Sequence, residues 1–289
     1  MIVSIRNEHL AIDFSTKGAE LKSIVGIDSS VNYMWRGDAQ FWGKFSPVLF
    51  PIVGALKENT YEYQGDKYNL SRHGFARDME FAYELIGTTE IAFKLRHTEE
   101  TLKNYPFEFE LTLRYRLSGA SLQCTYQVVN PSDKTMLFSI GGHPAFAAPL
   151  NSEGTYTDYY LQFNNDDEVT FHHIEDNLIA DETTTIQLKD KVLPLTHELF
   201  YGDALVFKNL KSNHIRLLNT KNYNGLNFHF EGFPYFGIWA AIDADFVCLE
   251  PWCGVADGVN HNQQLEDKEG IEKLAAGETW ERSWEVCCF

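Results

Sequence analysis

The sequence predicts an all-β fold built mostly from antiparallel strands. Between Phe107 and Leu117 apolar residues alternate with polar or charged ones, a period that places one strand face in a core and the other in water. Such strands follow one another with turn residues about every 8 to 12 positions, and residues 99–104 have the one helical pattern longer than a single turn. Because no linker, fixed-period repeat or low-complexity tract interrupts them, we expect one domain over residues 1–289.

Short apolar alternations separated by turn residues predict the elements of the first half of the chain. The clearest is a hairpin, because Tyr61 and Tyr63 alternate with polar residues before Gln64-Gly65-Asp66 and the alternation resumes at Tyr68. Residues 45–54 are apolar but include two prolines, so they make a poor central strand and a good wall for a cleft. The other predicted strands are residues 3–6, 10–14, 19–25, 81–85, 91–95 and 122–128, with one helical turn at 38–42.

The second half of the chain begins with a polar, acidic segment. For residues 151–191 we expect loops between short strands, because turn-forming and charged residues dominate there. The strand pattern returns at residues 204–207, 214–218, 226–230, 235–241 and 246–250, and a loop at 257–270 precedes a last strand at 279–286. Strands that follow strands in this way favour an antiparallel architecture over alternating strands and helices.

Composition limits the partners that the protein can bind. The net charge of −17 and the isoelectric point near 4.9 repel phosphate backbones and anionic lipids, so we expect no nucleic-acid or membrane partner and favour a neutral small molecule. The first eight residues lack an apolar run behind a basic start, and we expect a cytoplasmic protein. Aromatic residues make up 14% of the chain, which suits a sugar-binding surface.

Motifs for several other activities are missing from the sequence. The five cysteines form no CxxC pair with zinc or redox spacing, so we expect buried thiols rather than bridges. The chain also lacks a phosphate-binding loop ending in Lys-Ser/Thr, a dinucleotide fingerprint, a Gly-x-Ser-x-Gly elbow and a His-Glu-x-x-His motif. We therefore expect neither a metal nor a cofactor.

His143 is the first candidate for proton transfer. It follows the Gly141-Gly142 pair and precedes Pro144, so the glycines let the backbone turn and approach a ligand closely while the proline stiffens the exit. The same run also fits a β-bulge with a packed histidine. A functional role is favoured because the stretches around His73 and Glu250 likewise place an ionisable side chain beside a turn residue and an aromatic ring.

Glu250 is the second candidate, at the end of an apolar strand and before Pro251-Trp252. Partial burial by Trp252 would raise the pKa of its carboxyl group toward neutrality and make it a base near the working pH. Together with a protonated imidazole, such a carboxylate can move two protons at once. The alternative is a strand-end carboxylate that pairs with an arginine.

Two further positions each have two interpretations. His73 is either a hydrogen-bonded core histidine or a neutral, ligand-facing one, and the flanking Arg72 and Arg77 favour the second because positive charge opposes protonation of the imidazole. Asp203 can cap a turn as readily as it can bind hydroxyl groups, and its local sequence slightly favours the turn. The histidines at positions 172, 173, 197, 214 and 229 lack ligand spacing, so we interpret them as structural or surface residues.

Five motifs along the chain, taken in order, are similar to those of a known family. They are S-P-V-L-F-P-I-V-G (46–54), R-H-G-F-A-R-D (72–78), G-G-H-P-A-F (141–146), F-P-Y-F-G-I-W (233–239) and C-L-E-P-W (248–252). Each motif alone is modest. Together they resemble the aldose 1-epimerase (galactose mutarotase) family, and most closely its bacterial subgroup associated with lactose and galactose utilisation.

The resemblance implies a β-supersandwich with an open cleft and a cofactor-free interconversion of the α and β anomers of a free aldose, such as galactose or glucose. It assigns removal of the C1 hydroxyl proton to Glu250 and protonation of the ring oxygen to His143, with His73 orienting the substrate. Its substrate-binding aspartate corresponds to Asp203. The remaining residues expected to border the site are Arg72, Arg77 and Trp252.

Two alternatives to a free aldose as substrate remain open. A hexose-6-phosphate mutarotase shares the histidine and glutamate but needs a cationic cluster at the cleft mouth, for which Arg72, Arg77 and Lys57 are candidates. A sugar-binding protein without turnover could use the same fold. The galactose enzymes carry Asn-Arg after the first glycine where this chain has Ala55-Leu56-Lys57, so the aldose itself is left open, as is a homodimer.

Overall fold

The strands of the computed structural model, which describes residues 1–150 and 153–289, confirm the all-β prediction. Every pairing between named strands is antiparallel. In chain order the strands are β1 (Ile2–Arg6), β2 (Leu10–Ser15), β3 (Glu20–Gly26), β4 (Val48–Leu49), β5 (Thr60–Tyr63), β6 (Asp66–Asn69), β7 (Ala82–Leu85), β8 (Glu90–Arg96), β9 (Glu110–Ser118), β10 (Ser121–Val129), β11 (Met136–Phe138), β12 (Ile140–Gly142), β13 (Ala145–Ala147), β14 (Tyr159–Phe163), β15 (Glu168–Glu175), β16 (Leu178–Gln187), β17 (Val192–Pro194), β18 (Leu205–Phe207), β19 (His214–Asn219), β20 (Leu226–His229), β21 (Tyr235–Trp239), β22 (Phe246–Cys253), β23 (Glu272–Leu274) and β24 (Thr279–Cys288).

Helical structure is sparse in the described part of the chain. The helix predicted at residues 99–104 is present as α1 (Glu99–Asn104), and Thr98 caps its first turn by accepting a hydrogen bond from the Thr101 amide at 3.2 Å. No helix among the described residues is long and apolar enough to cross a membrane. Short 3₁₀ turns occupy Lys57–Asn59, Ala76–Asp78, Tyr156–Asp158, His197–Phe200 and Leu265–Asp267.

Two large sheets make up most of the fold. The first has nine strands in the order β17-β14-β19-β20-β24-β10-β9-β8-β7. The second has eight strands in the order β16-β15-β18-β21-β22-β12-β4, with β13 paired to β22 beside β12. Smaller sheets are formed by β1-β2-β3, β5-β6 and β11-β23.

The two large sheets pack face to face around an aromatic core. The ring of Phe228 in β20 lies 5.7 Å from that of Phe146 in β13 and 6.3 Å from that of Phe236 in β21, so it joins the nine-stranded sheet to the eight-stranded one. Phe228 also lies 5.3 Å from the ring of Trp284 in β24. This is the sandwich architecture that the resemblance implies.

The predicted hairpins follow their turn chemistry. Between β5 and β6 the turn residues Gln64 and Gly65 have φ values of 53° and 89°, as a two-residue type I′ turn requires. The alternation predicted from Phe107 is also present, although β9 itself begins at Glu110, and Phe107 and Phe109 are buried ahead of it. Period-two patterning therefore located these strands to within a few residues.

The largest departure from prediction lies within residues 151–191, of which 151 and 152 are outside the described residues. Instead of short strands in loops, β15 and β16 form a hairpin of eight and ten residues. Its second strand is an exposed sheet edge that contains three consecutive threonines, whose β-branched side chains suit a strand even without a buried face. Its turn uses Asp176 and Asn177, with φ values of 50° and 70°.

Candidate active site

A cavity of about 280 Å³ opens beside the central strand β22. Its wall includes His143, Glu250, His73, Arg72, Arg77 and Trp252, which are six of the site residues selected from the sequence. Asp203 lies at the rim rather than in the wall, with a carboxylate oxygen 3.9 Å from Nη2 of Arg72. The fold therefore gathers residues that are up to 178 positions apart in the chain, from Arg72 to Glu250.

His143 occupies the break between β12 and β13. On one side of the break Gly141 pairs with Trp252, and on the other Ala145 pairs with Cys248, both in β22. The register is the same on both sides, so His143 lies directly opposite Glu250. Nε2 of His143 is 3.3 Å from Oε1 of Glu250.

The glycines before His143 serve close packing rather than a turn. Both are in extended strand β12, which differs from the turn that the sequence suggested. A Cβ atom on Gly141 would lie 2.5 Å from the ring of Trp252, and one on Gly142 would lie 2.6 Å from the hydroxyl of Tyr126. Only glycine lets β12 approach these side chains closely enough to bring His143 to the cavity.

Aromatic rings fix the orientation of the His143 imidazole. The ring of Trp42 stacks on it at a centroid distance of 4.9 Å and an angle of 27°, and Trp239 meets it edge-on at 5.6 Å. Trp42 comes from the predicted helical turn, where its amide donates to the carbonyl of Asp38 at 2.9 Å. The sequence placed Trp239 in a family motif, but nothing local marked Trp42 as a site residue.

Glu250 is buried to 1% exposure in a strand whose eight residues are all buried. Burial raises the pKa of the Glu250 carboxyl group well above its usual value, in the predicted direction, and the positive charge of Arg72 opposes this only in part. Burial lowers the pKa of His143 to about 3, and Arg72 and Arg77 act in the same direction. Both shifts disfavour the charged forms, so burial favours a neutral carboxyl group beside a neutral imidazole over an ion pair, and the two groups in contact titrate as a pair.

His73 presents one ring edge to the cavity in a strained backbone position, with φ of 68°. Nδ1 accepts a hydrogen bond from the Gly54 amide at 3.1 Å, and Nε2 faces the Nε–H of Arg72 at 3.2 Å. Burial, His143 and Arg72 all lower the pKa of His73, so the ring is neutral. A neutral imidazole accepts at only one nitrogen, so these two contacts compete.

The competition at His73 is resolved by the relative mobility of the two donors. The Gly54 amide belongs to the backbone of the cavity wall, whereas Arg72 is a long side chain that is 42% exposed and can change its conformation. Nδ1 is therefore the acceptor and Nε2 carries the proton, which is available to a ligand oxygen once Arg72 turns away. Arg72 already has a second partner, since its Nη1 donates to Oδ1 of Asn177 at 2.9 Å.

Asn177 and its neighbours are site residues that the sequence did not reveal. Asn177 is in the turn of the β15–β16 hairpin, and Ile174 and Ile179 on either side of that turn also line the cavity. The segment was predicted to be loop, so its contribution to a wall was invisible. The Asp176-Asn177 pair between two isoleucines is a turn signal that could have located the hairpin tip.

The remaining cationic side chains near the cavity have partners. Nη2 of Arg77 donates to the carbonyl of Arg72 at 2.8 Å, and its Nε lies 3.7 Å from a carboxylate oxygen of Asp78. Nζ of Lys57 donates to the carbonyl of Val259 at 2.9 Å, and Lys57 does not line the cavity. Asp203 has the turn-capping contact predicted for it, because its Oδ1 accepts from the Ala204 amide at 2.7 Å.

Asp257 holds one wall of the cavity together. Its amide donates to the carbonyl of Ala55, its carbonyl accepts from the amide of Ile179, and its Oδ2 accepts from the amide of Lys57, each at 2.9 Å. Oδ1 accepts from Nζ of Lys268 at 2.7 Å, and both side chains are fully buried. This ion pair fixes the segment that carries the Gly54 amide and, through it, the tautomer of His73.

The family was identified by comparison with known proteins. The profile of the family described as Aldose 1-epimerase matches residues 1–281. The chain belongs to the aldose 1-epimerase family. It is 33% identical to "Protein LacX, plasmid" of Lactococcus lactis subsp. lactis over 99% of each chain.

Solved structures with the same fold accompany this match. A galactose mutarotase related enzyme from Lactobacillus acidophilus superposes with a TM-score of 0.95 at 33% identity, over 100% of this chain and 97% of that one. A galactose mutarotase-like protein from Lactobacillus casei ATCC 334 has a TM-score of 0.92 at 29% identity, over 100% of both chains. These matches confirm the predicted family and its mutarotase-type fold. Membership of the aldose 1-epimerase family supports the prediction that the protein is a carbohydrate epimerase.

Proposed function

We propose that the protein is a mutarotase that interconverts the α and β anomers of a free aldose such as galactose or glucose. The observation that carries the proposal is the contact between Nε2 of His143 and Oε1 of Glu250 at the cavity wall. Anomer exchange requires a proton to leave the C1 hydroxyl and another to reach the ring oxygen, and two adjacent titratable groups suffice for both transfers.

The single proton of the pair gives the reaction its starting state. Burial favours this proton on Glu250 in the resting protein, and moving it to His143 creates a carboxylate base beside an imidazolium acid without any exchange with solvent. Sugar hydroxyl groups that donate to the carboxylate favour that transfer. Glu250 then accepts the C1 hydroxyl proton while His143 donates to the ring oxygen, the ring opens, and rotation about C1–C2 followed by the reverse transfers gives the other anomer.

The residues around the pair suit the binding of a pyranose. His73 would donate its Nε2 proton to a sugar oxygen, while Arg72 and Asp203 would contact outer hydroxyl groups from the cavity mouth. Trp42, Trp239 and Trp252 offer flat apolar faces of the kind that pack against sugar C–H groups. No step in this scheme requires a cofactor.

A neutral sugar is favoured over a sugar phosphate. A phosphate would need several free cationic donors, but Arg77 is bound to the Arg72 carbonyl, Arg72 contacts Asn177, and Lys57 is outside the cavity wall. The net charge of −17 also opposes an anionic ligand, and it supports the proposal that the protein has no nucleic-acid or membrane partner. A cytoplasmic location stays a prediction. A homodimer stays a prediction.

Polarimetry tests the proposal directly. Freshly dissolved α-galactose, α-glucose and α-glucose 6-phosphate are followed to anomeric equilibrium with and without the protein. We expect acceleration proportional to protein concentration for at least one of the free sugars. A strong preference for the phosphate would assign the alternative mutarotase, and sugar binding without acceleration would assign a binding protein on the same fold.

A further inference from the structure

A third side chain, outside the proposed proton-transfer scheme, lies against the catalytic pair. Cys248 and Glu250 are two positions apart in β22, so their side chains are on the same face of the sheet. One ligand atom from each of His143, Cys248 and Glu250 lies within 4.8 Å of the others. All three residues are buried, with exposures of 7%, 0% and 1%.

Two polar atoms of this cluster have no hydrogen-bond partner within the described part of the chain. They are Oε2 of Glu250 and Nδ1 of His143. An oxygen of a carboxyl group that is 99% buried normally has a hydrogen-bond partner, because leaving a buried acceptor unsatisfied is unfavourable. A ligand that binds the carboxyl group would remove this deficit.

One donor separation in the cluster matches a small divalent cation, and the sulfur of Cys248 lies within 4.8 Å of the other two donors. Bonds of about 2.0–2.3 Å in a tetrahedral arrangement place neighbouring ligand atoms about 3.3–3.6 Å apart. The separation of 3.3 Å between Nε2 of His143 and Oε1 of Glu250 is one such edge. A thiolate beside an imidazole and a carboxylate selects zinc or cadmium, since magnesium and calcium prefer sites made of oxygen atoms alone.

We propose that His143, Cys248 and Glu250 form a binding site for Zn²⁺ whose occupation blocks anomer exchange. His143 and Glu250 line the cavity, so the ion arrives through the cavity and the thiolate completes the set from behind. The fourth position faces the cavity, as in zinc sites that keep one ligand exchangeable. On binding Zn²⁺, the thiol and the carboxyl group each release one proton. The two negative charges that result balance the charge of the ion, which would otherwise be repelled by Arg72 and Arg77 in the cavity wall.

The inhibitory part of this inference rests on the proposed function. A bound Zn²⁺ would take the atoms of His143 and Glu250 that exchange protons with the sugar. Inhibition should therefore be competitive with sugar and reversible by a chelator. Metal binding itself does not depend on the protein being a mutarotase.

Cobalt substitution tests the site without reference to activity. The full-length protein is treated with chelator, dialysed and titrated with Co²⁺, and we expect a near-ultraviolet thiolate-to-cobalt band with the visible bands of tetrahedral Co²⁺. Added Zn²⁺ should abolish both. Cys248→Ala should lose the thiolate band, whereas Cys253→Ala, which removes another buried thiol of the same strand from outside the cluster, should keep it.

Polarimetry with added Zn²⁺ supplies the second readout. Zn²⁺ should inhibit the wild type and Cys253→Ala alike, and at least about a hundredfold more Zn²⁺ should be needed for Cys248→Ala, since even outer-shell partners contribute 10–100-fold to metal affinity. Without metal, Cys248→Ala should exchange anomers as the wild type does. Cys248→Ser, which preserves side-chain volume, repeats the comparison if the alanine variant does not fold.

The outcomes separate this inference from the proposed function. The metal site is overturned if the wild type shows no thiolate band, or if Cys248→Ala binds Zn²⁺ and is inhibited as strongly as the wild type. If Co²⁺ and Zn²⁺ bind through Cys248 but the metal-free wild type does not exchange anomers, the site stands and the mutarotase proposal falls.

Discussion

His143 and Glu250 are cross-strand neighbours at the break between β12 and β13, with Nε2 of one 3.3 Å from Oε1 of the other. We predict that His143→Gln and Glu250→Gln each slow anomer exchange by at least about a hundredfold, the usual range for losing a general acid or base. The double variant should be no slower than the slower single variant, because the pair acts as a unit. Polarimetry at saturating sugar measures all three.

A second histidine–carboxylate pair is a matched control for this prediction. Nε2 of His197 lies 3.2 Å from Oδ1 of Asp245, and neither residue lines the cavity. His197→Gln should leave anomer exchange within about twofold of the wild type, because the His197 side chain is 27% exposed and stacks on Tyr156 instead of facing the cavity. Equal losses in His197→Gln and His143→Gln would show that the assay reports folding rather than chemistry.

The pH dependence of kcat/KM should be broad because the active pair holds one proton. Burial lowers the pKa of His143 to about 3 and raises that of Glu250 well above its usual value. As the pH falls toward 3, His143 becomes protonated and the pair then holds two protons. As the pH rises past the pKa of Glu250, the carboxyl group ionises and the pair holds none. Activity should therefore be level from about pH 5 through neutrality, beyond the pKa of about 6.5 of an ordinary histidine.

Stopped-flow polarimetry between about pH 4 and 9 in buffers of constant ionic strength checks this profile. A bell with limbs near the ordinary values of glutamate and histidine, about 4.3 and 6.5, would contradict it, because the pair would then be an ion pair in the resting protein. Glu250→Gln should lose the alkaline limb, since no group of the pair then titrates there.

The sequence predicted the chemical types of the site residues better than their surroundings. His143 and Glu250 could be selected because glycine, proline and tryptophan beside an ionisable group are local features. Their contact depends on the register between β12, β13 and β22, which is set by long-range pairing and has no local signal.

The sequence also failed to predict parts of the cavity wall, because they too depend on contacts between distant segments. Period-two patterning identifies strands with one buried face, such as β9, but β16 is a largely exposed edge and its polar sequence resembles a loop. Because the hairpin was not predicted, Asn177 at its turn was not selected as a site residue. The role of the two glycines before His143 was also misread, because close approach to Trp252 and Tyr126 is a tertiary constraint.

Asn177 should influence sugar binding through Arg72. Removing its side chain with Asn177→Gly leaves a residue that tolerates the φ of 70° and deletes the acceptor of the Nη1 hydrogen bond. A net hydrogen bond contributes about 0.5–1.5 kcal/mol, so we expect KM to rise about two- to tenfold with little change in kcat. Initial-rate polarimetry over a range of sugar concentrations measures both constants.

The adjacent turn position supplies the control. Asp176 has φ of 50° and does not line the cavity, so Asp176→Gly makes the same backbone change without removing a contact to Arg72. Its KM should match that of the wild type. An equal rise in KM for both variants would attribute the effect to hairpin flexibility instead of the lost amide.

Stability should depend strongly on the buried ion pair between Lys268 and Asp257. Lys268→Met leaves the carboxylate of Asp257 buried without its cation, and breaking a buried pair in this way costs about 3–5 kcal/mol. Asp257 would keep its bond from the Lys57 amide and its 3.3 Å contact with Nδ1 of His261. That nitrogen already accepts from the Gln263 amide, so neither contact replaces a charge 2.7 Å away. Urea denaturation followed by tryptophan fluorescence measures the loss in free energy of unfolding.

An exposed ion pair is the control that separates the effect of burial on stability from the effect of removing a charge. Lys103 and Glu100 are 2.6 Å apart with side chains 67% and 76% exposed, so Lys103→Met should cost at most about 1 kcal/mol. The double variant Asp257→Asn with Lys268→Met should recover part of the loss, because a neutral amide is less costly to bury than a carboxylate. Equal effects of Lys268→Met and Lys103→Met would mean that the wall beside Gly54 does not depend on this ion pair.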